Sequence, residues 1–185
     1  MSPPVLSQVA HLVNQAVEDN IVPGAVALVA VAGTTVLDHA TGHTQLVPKR
    51  RPVEPDTIYD LASLTKAVVT ATAIMILIDQ GKLHLQQRVV DILPEFAAHN
   101  KHDVRIVHLL THTSGLPAHN RVSRTARNPT ETVRLALSMY LSHDTGTREL
   151  YTDLGYLALG EIVTRLTNKP LNQFAHDEIF HPLAM

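Results

Sequence analysis

Ser63-Leu64-Thr65-Lys66 sets a hydroxyl and an amine three residues apart at the start of an apolar run that reads as a helix, so both side chains fall on one helical face. That arrangement is an activated nucleophile. Desolvation drives a lysine toward its neutral form, and a neutral Lys66 could take the proton from Ser63 as the hydroxyl attacks a carbonyl carbon. The free N–H groups and dipole of a helix amino terminus would favour an oxyanion forming beside Ser63. A Ser and a Lys at this spacing occur by chance about once per chain of ordinary composition. The pair therefore takes its meaning from the segments around it.

The chain also carries 12 His. His108 and His112 are four apart, the spacing of a zinc pair on a helix. Position 109, however, is Leu where a zincin helix needs Glu, and no third ligand is evident, so packing or turn roles are expected and no metal. His99, His102 and His119 fall in polar stretches and read as solvated. Thr111 to Gly115 could line a cleft, or its hydroxyls could make a turn before the glycine. The basic triplet Lys49-Arg50-Arg51 reads as a solvated turn.

The elements that must hold these residues come from 185 residues with 15 Lys and Arg against 17 Asp and Glu, a net charge of −2. Nothing in that balance points to nucleic acid or an anionic membrane. An apolar fraction of 45% with 17% charged residues describes a globular chain, long enough to bury roughly 70% of its unfolded surface. The absence of Cys excludes disulfides, thiolate zinc sites and thiol nucleophiles. The amino terminus, Met1-Ser2-Pro3-Pro4-Val5-Leu6, lacks the basic and apolar regions of a secretory signal, and no stretch approaches the roughly 18 apolar residues of a span. As written, the chain reads as soluble and cytoplasmic.

Apolar positions Leu6, Val9, Ala10, Leu12, Val13, Ala16 and Val17 recur at helical spacing, predicting a helix that ends near Asn20. Pro23-Gly24 punctuates, and Ala25 to Val31, Gly33-Thr34 and Thr35 to His39 then read as a hairpin whose first strand is buried on both faces. Thr41 to Pro55 reads as a loop. Asp60 can cap a helix to about Gln80 with Gly81 as its stop, and Ala67 to Ile78 is apolar almost all round, as a core helix is. Further helices are expected over Arg105 to Leu110, Thr130 to Leu141, Leu154 to Thr167 and Leu171 to Phe180.

The run Asp56-Thr57-Ile58-Tyr59-Asp60-Leu61-Ala62-Ser63-Leu64-Thr65-Lys66 resembles the nucleophile segment, the SxxK motif, of the serine beta-lactamase and penicillin-binding-protein superfamily, in its class C and esterase-like branch. The resemblance continues through Gln80-Gly81-Lys82-Leu83, Val90-Asp91-Ile92-Leu93-Pro94, Val107 to Leu116, Gly146 to Tyr156 and Ile179 to Met185, so it covers the chain from about Pro23 onward. It implies an α+β beta-lactamase/DD-peptidase-like fold, here an N-terminal helix, a β-hairpin and a helical subdomain. One domain would span 1–185, with 1–60 contributing to the sheet and 61–185 forming the helical part.

Carried onto this sequence, the resemblance implies Ser63 as the acylated nucleophile, Lys66 as its activating partner and Tyr151 as the general base that returns a proton to the leaving group. A phenol beside a cation has its ionised form favoured, so Lys66 and Tyr151 could share proton duty. Asp153 stands where the family commonly has Asn, and a carboxylate cannot donate to a substrate carbonyl as an amide can. That substitution at a substrate-binding position favours ester substrates over beta-lactams or peptides. The family's third motif, a Lys-, His- or Trp-containing triad ending in Gly on a late strand, should lie well beyond Met185, so the chain reads as incomplete at its C-terminus.

The first expectation is a serine hydrolase that forms an acyl-enzyme on an ester or amide, with no metal or organic cofactor. The alternative is a catalytically silent fragment or scaffold whose exposed sheet edge pairs with a second copy or a complementing chain. A metal-dependent hydrolase built on the histidines ranks last.

Overall fold

The computed structural model describes residues 3–118 and 122–185, so Met1, Ser2 and His119 lie outside the described residues. The chain divides into two compact units, Met1–Asp60 and Leu61–Met185.

The first unit begins with α1 (Pro3–Glu18). Leu6, Val9, Ala10, Val13, Ala16 and Val17 are half-buried as their spacing requires, but Leu12 is 63% exposed. Strands β1 (Gly24–Val31) and β2 (Thr34–Gln45) pair antiparallel through a two-residue turn in which Ala32 and Gly33 both have positive φ, the geometry that matches the twist of a hairpin. Gly24 lies opposite Gly42, where a Cβ would stand 2.5 Å from the Pro23 carbonyl oxygen, so the glycine permits the close approach. His39 Nε2 and Asn14 Oδ1, 2.8 Å apart, tie the hairpin to α1.

Two expectations fail in this unit. The segment assigned to a loop continues β2 to Gln45 and adds β3 (Arg51–Pro52), because ladder hydrogen bonds to both neighbours satisfy a polar backbone whatever its side chains. Strand β1 is also not buried on both faces: Leu28 is 61% exposed, and among the described residues β1 pairs only with β2.

In the second unit the helix predicted from Asp60 starts later. Ala62 sits at φ +45°, in the left-handed region, and the chain first winds through short turns from Leu61 to Leu64 and from Ser63 to Lys66. A wide π-helical turn, Lys66–Ala71, then leads into α2 (Thr72–Asp79), and the Thr72 hydroxyl donates to the Ala67 carbonyl five residues back at 3.0 Å. Gly81, at φ +69°, ends it as expected, with Lys82 N–H on the Leu77 carbonyl. The helix is not buried on every side, as the expected core helix would be. It buries Val69, Thr70, Ala73, Ile74 and Leu77, while Met75 is exposed.

After 3-10 turns at Val89–Asp91 and Pro94–Asn100 come α3 (Ile106–Leu110), α4 (Val122–Thr125), α5 (Pro129–Leu137), α6 (Asp153–Thr167) and α7 (Leu171–Ala175), the last continuing as a π turn to Phe180. Helix α6 is the spine of this unit. Leu154, Ala158, Leu159, Ile162 and Val163 form one buried stripe and join Ile74, Leu77, Leu93, Phe96, Ile106 and Leu109 in the core. Each such aliphatic side chain contributes about 1.5–3 kcal/mol on burial. Asn168, at φ +54°, stops α6 just before Lys169-Pro170. No helix among the described residues is long and apolar enough to cross a membrane.

One buried cation has no counterion among the described residues. Lys101 is fully buried, its ammonium donating to the Met139 carbonyl and lying 5.0 Å from the centre of the Phe96 ring, and burial pushes its pKa down to about 8. Between that value and the ordinary lysine range the unfolded chain holds a proton that the folded chain has released, so stability rises with pH through this window. Lys101→Met should therefore raise stability by about 1–3 kcal/mol at pH 7. Thermal melts at pH 7 and pH 10 check it, since the variant's advantage should shrink at the higher pH.

Candidate active site

The site grows from the two ends that the fold brings together, the entry to the Lys66–Ala71 turn and the start of α6. Thr152 caps α6: its hydroxyl accepts the Leu154 N–H at 3.2 Å and donates to the Pro117 carbonyl at 2.8 Å, and the side chain is buried. That anchor holds Tyr151 on one side and Asp153 on the other. Asp153 Oδ1 lies 2.6 Å from the Lys66 ammonium, which donates to the Ser63 hydroxyl oxygen at 3.4 Å and stands 4.9 Å from the centre of the Tyr151 ring. Ser63, Lys66, Tyr151 and Asp153 thus converge, although 85 residues separate Lys66 from Tyr151 in sequence (151 − 66).

The charge states differ from the sequence expectation. Burial does push the Lys66 amine down, but the Asp153 carboxylate and the Tyr151 phenol together outweigh it and leave its pKa above the ordinary lysine value. These contacts favour the ammonium form of Lys66 over the neutral amine that could receive the Ser63 proton. The group whose ionised form is favoured is Tyr151: the Lys66 ammonium, and then the Ser63 hydroxyl, hold its phenol below the usual tyrosine value. The expectation of free N–H groups at the helix start is corrected as well. The N–H groups of Leu64, Thr65 and Lys66 are engaged by the carbonyls of Leu61, Ala62 and Ser63 at 3.0 to 3.1 Å.

A cavity of about 480 Å³ opens at Ser63, lined also by Lys66, Asp153, Tyr156, Leu157 and Leu171, a size that suits a small molecule. Tyr151 is not among its lining residues. A larger cavity of about 720 Å³ between α5 and α6 shares Tyr156, Leu157 and Leu171 but contains neither Ser63 nor Lys66.

His108, His112 and Thr111 have backbone partners. His108 Nδ1 accepts the Arg105 N–H at 3.1 Å and His112 Nδ1 accepts the Thr152 N–H at 3.2 Å. Thr111 donates to the Val107 carbonyl at 2.8 Å, and Ser114 and Gly115 are buried. Among the described residues no three His, Asp or Glu side chains are arranged to hold a metal ion. The residue missed at the site is His112, whose ring lies 4.5 Å from that of Tyr151. Sequence offers it only as half of a zinc-spaced pair with His108, for which packing or turn roles are expected.

Against known proteins, the Beta-lactamase family model matches residues 9–185, and the chain belongs to that family. An N-acetylmuramyl-L-alanine amidase of Bacillus subtilis (strain 168) is 31% identical over 195 aligned residues, covering 94% of this chain and 44% of the amidase. The octameric penicillin-binding protein homologue from Pyrococcus abyssi matches in structure with a TM-score of 0.84 at 28% identity, over 100% of this chain and 44% of that one. EstCE1, a hydrolase with promiscuous acyltransferase activity, matches with a TM-score of 0.80 at 27% identity, over 97% and 52% of the two chains. The chain thus has a beta-lactamase/DD-peptidase-like fold and hydrolase relatives, and spans about half of their length or less.

Proposed function

We propose that the chain carries the nucleophile of a serine hydrolase and forms an acyl-enzyme at Ser63 on an ester. The carrying observation is the Lys66 ammonium held between Asp153 and Ser63 and 4.9 Å from the centre of the Tyr151 ring. In this reading the Tyr151 phenolate takes the Ser63 proton as Oγ attacks the carbonyl carbon. The tetrahedral intermediate then collapses, its C–O bond to the alcohol breaks, and the alcohol leaves with the proton that Tyr151 held. A water, deprotonated by Tyr151, adds to the acyl carbon, the bond from that carbon to Ser63 Oγ breaks, and Tyr151 returns the proton to Oγ as the acid leaves. Lys66 stabilises the phenolate, and Asp153 keeps Lys66 charged. An Asp at position 153, already committed to an ammonium, offers no N–H to a peptide or lactam carbonyl, which supports an ester substrate. Residues 1–185 are read as parts of one family domain, without a metal or organic cofactor.

Intact-mass measurement after incubation with a p-nitrophenyl ester and, separately, a penicillin tests this. The expected result is an acyl adduct from the ester that is absent in Ser63→Ala. No adduct from either reagent overturns the proposal.

The exposed Leu28 and the single paired edge of β1 among the described residues favour a second reading, a chain completed by strand addition from another copy or a complementing chain. An active monomer by light scattering would eliminate it.

A further inference from the structure

Tyr151 is 52% exposed, yet three contacts from a single residue hold it in place. The His112 carbonyl accepts the Leu150 N–H at 2.8 Å, and His112 Nδ1 accepts the Thr152 N–H at 3.2 Å, so the residues on both sides of Tyr151 are tied to the same histidine. The imidazole lies against the Tyr151 ring, centroids 4.5 Å apart, and against the Tyr156 ring at 5.2 Å. Tyr156 is itself anchored, its hydroxyl donating to the Leu110 carbonyl at 3.1 Å.

The conformation of His112 is as particular as its contacts. It stands at φ +58°, in the left-handed region that few residues other than glycine enter, though histidine and asparagine do so more readily than most. A glycine would fit this backbone but would supply neither the ring nor the Nδ1 acceptor. Accepting a hydrogen bond at Nδ1 requires the neutral ring with its proton on Nε2. Burial, and then the Lys66 charge, push the imidazole below its ordinary value, opposed by Glu149 and Asp153.

We infer that His112 is a positioning residue for Tyr151: by clamping the backbone at 150 and 152 and packing on the phenol ring, it keeps the hydroxyl within reach of Ser63 and Lys66. This rests on the acyl-transfer reading above, in which Tyr151 moves the proton.

The test uses His112→Leu, which removes the ring and its Nδ1 acceptor but keeps the backbone carbonyl to Leu150, and His112→Asn, which tolerates the backbone and retains a side-chain acceptor without the ring contact. One readout is the Tyr151 titration, followed by phenolate absorbance as the difference from a matched Tyr151→Phe chain. The other is the rate of Ser63 acylation by p-nitrophenyl acetate. In His112→Leu the titration should move up toward the usual tyrosine range and acylation should slow about a hundredfold, with His112→Asn intermediate in both. A folded variant whose Tyr151 titrates as in the native chain overturns the inference. Should His112→Leu fail to fold, the Asn variant decides by the same criterion. A native chain that forms no adduct defeats the acyl-transfer reading alone, because the phenol titration still reads the positioning.

Discussion

Lys66→Ala should slow acylation of Ser63 by a p-nitrophenyl ester about 10²- to 10⁴-fold at neutral pH, with the remaining rate displaced toward alkaline pH. The Lys66 ammonium is the foremost influence holding the Tyr151 phenol below the usual tyrosine value. Without it the phenol's pKa rises, and a smaller fraction is phenolate at pH 7. The sign separates two mechanisms. If Lys66 were the base, its loss would abolish the reaction at every pH; if Lys66 serves Tyr151, raising the pH restores part of the rate. Acyl-adduct rates from pH 6 to pH 10 distinguish them, and a native rate with an unmoved profile would remove Lys66 from the mechanism.

Gly115→Ala should be the most destabilising single methyl in the second unit. Gly115 has φ +90°, and a Cβ there would stand 2.3 Å from the His143 carbonyl oxygen, a backbone atom with no side-chain freedom to retreat. Its own carbonyl accepts both the Ser142 N–H and the Ser142 hydroxyl, at 2.8 and 3.2 Å, and the neighbouring Thr113 carbonyl accepts the Gly146 N–H, so a shift at 115 opens that seam. Gly81 supplies the control: it has φ +69° but nothing within 4 Å of a would-be Cβ. Backbone strain alone is about 1–2 kcal/mol, while strain plus the clash should reach about 3–5 kcal/mol. Thermal melts of the two alanine variants measure the difference. Equal losses would mean that the chain around His143 yields freely.

What could be read from sequence depended on how local each cause was. The hairpin, the stop at Gly81, the span of α6 and the Ser63/Lys66 pair all follow from residues a few positions apart. The protonation of Lys66 did not, because its sign is decided by a carboxylate and a phenol that only the fold delivers. The role of His112 was hidden for the same reason: its partners are Leu150, Tyr151 and Thr152, almost 40 residues away. Lys101 gave no signal at all, since a lysine among His99, Asn100 and His102 reads as solvated. The late start of the nucleophile helix turned on one left-handed alanine, which propensity does not anticipate.

The wide turn at Lys66–Ala71 bears on how relatives should be compared. A π turn closes on i→i+5 and so holds one more residue than an α turn, and that extra residue lies between the Lys66 amine and the Ile74 and Leu77 core stripe. A relative one residue shorter in this stretch can therefore carry the same amine and core stripe on a regular α turn.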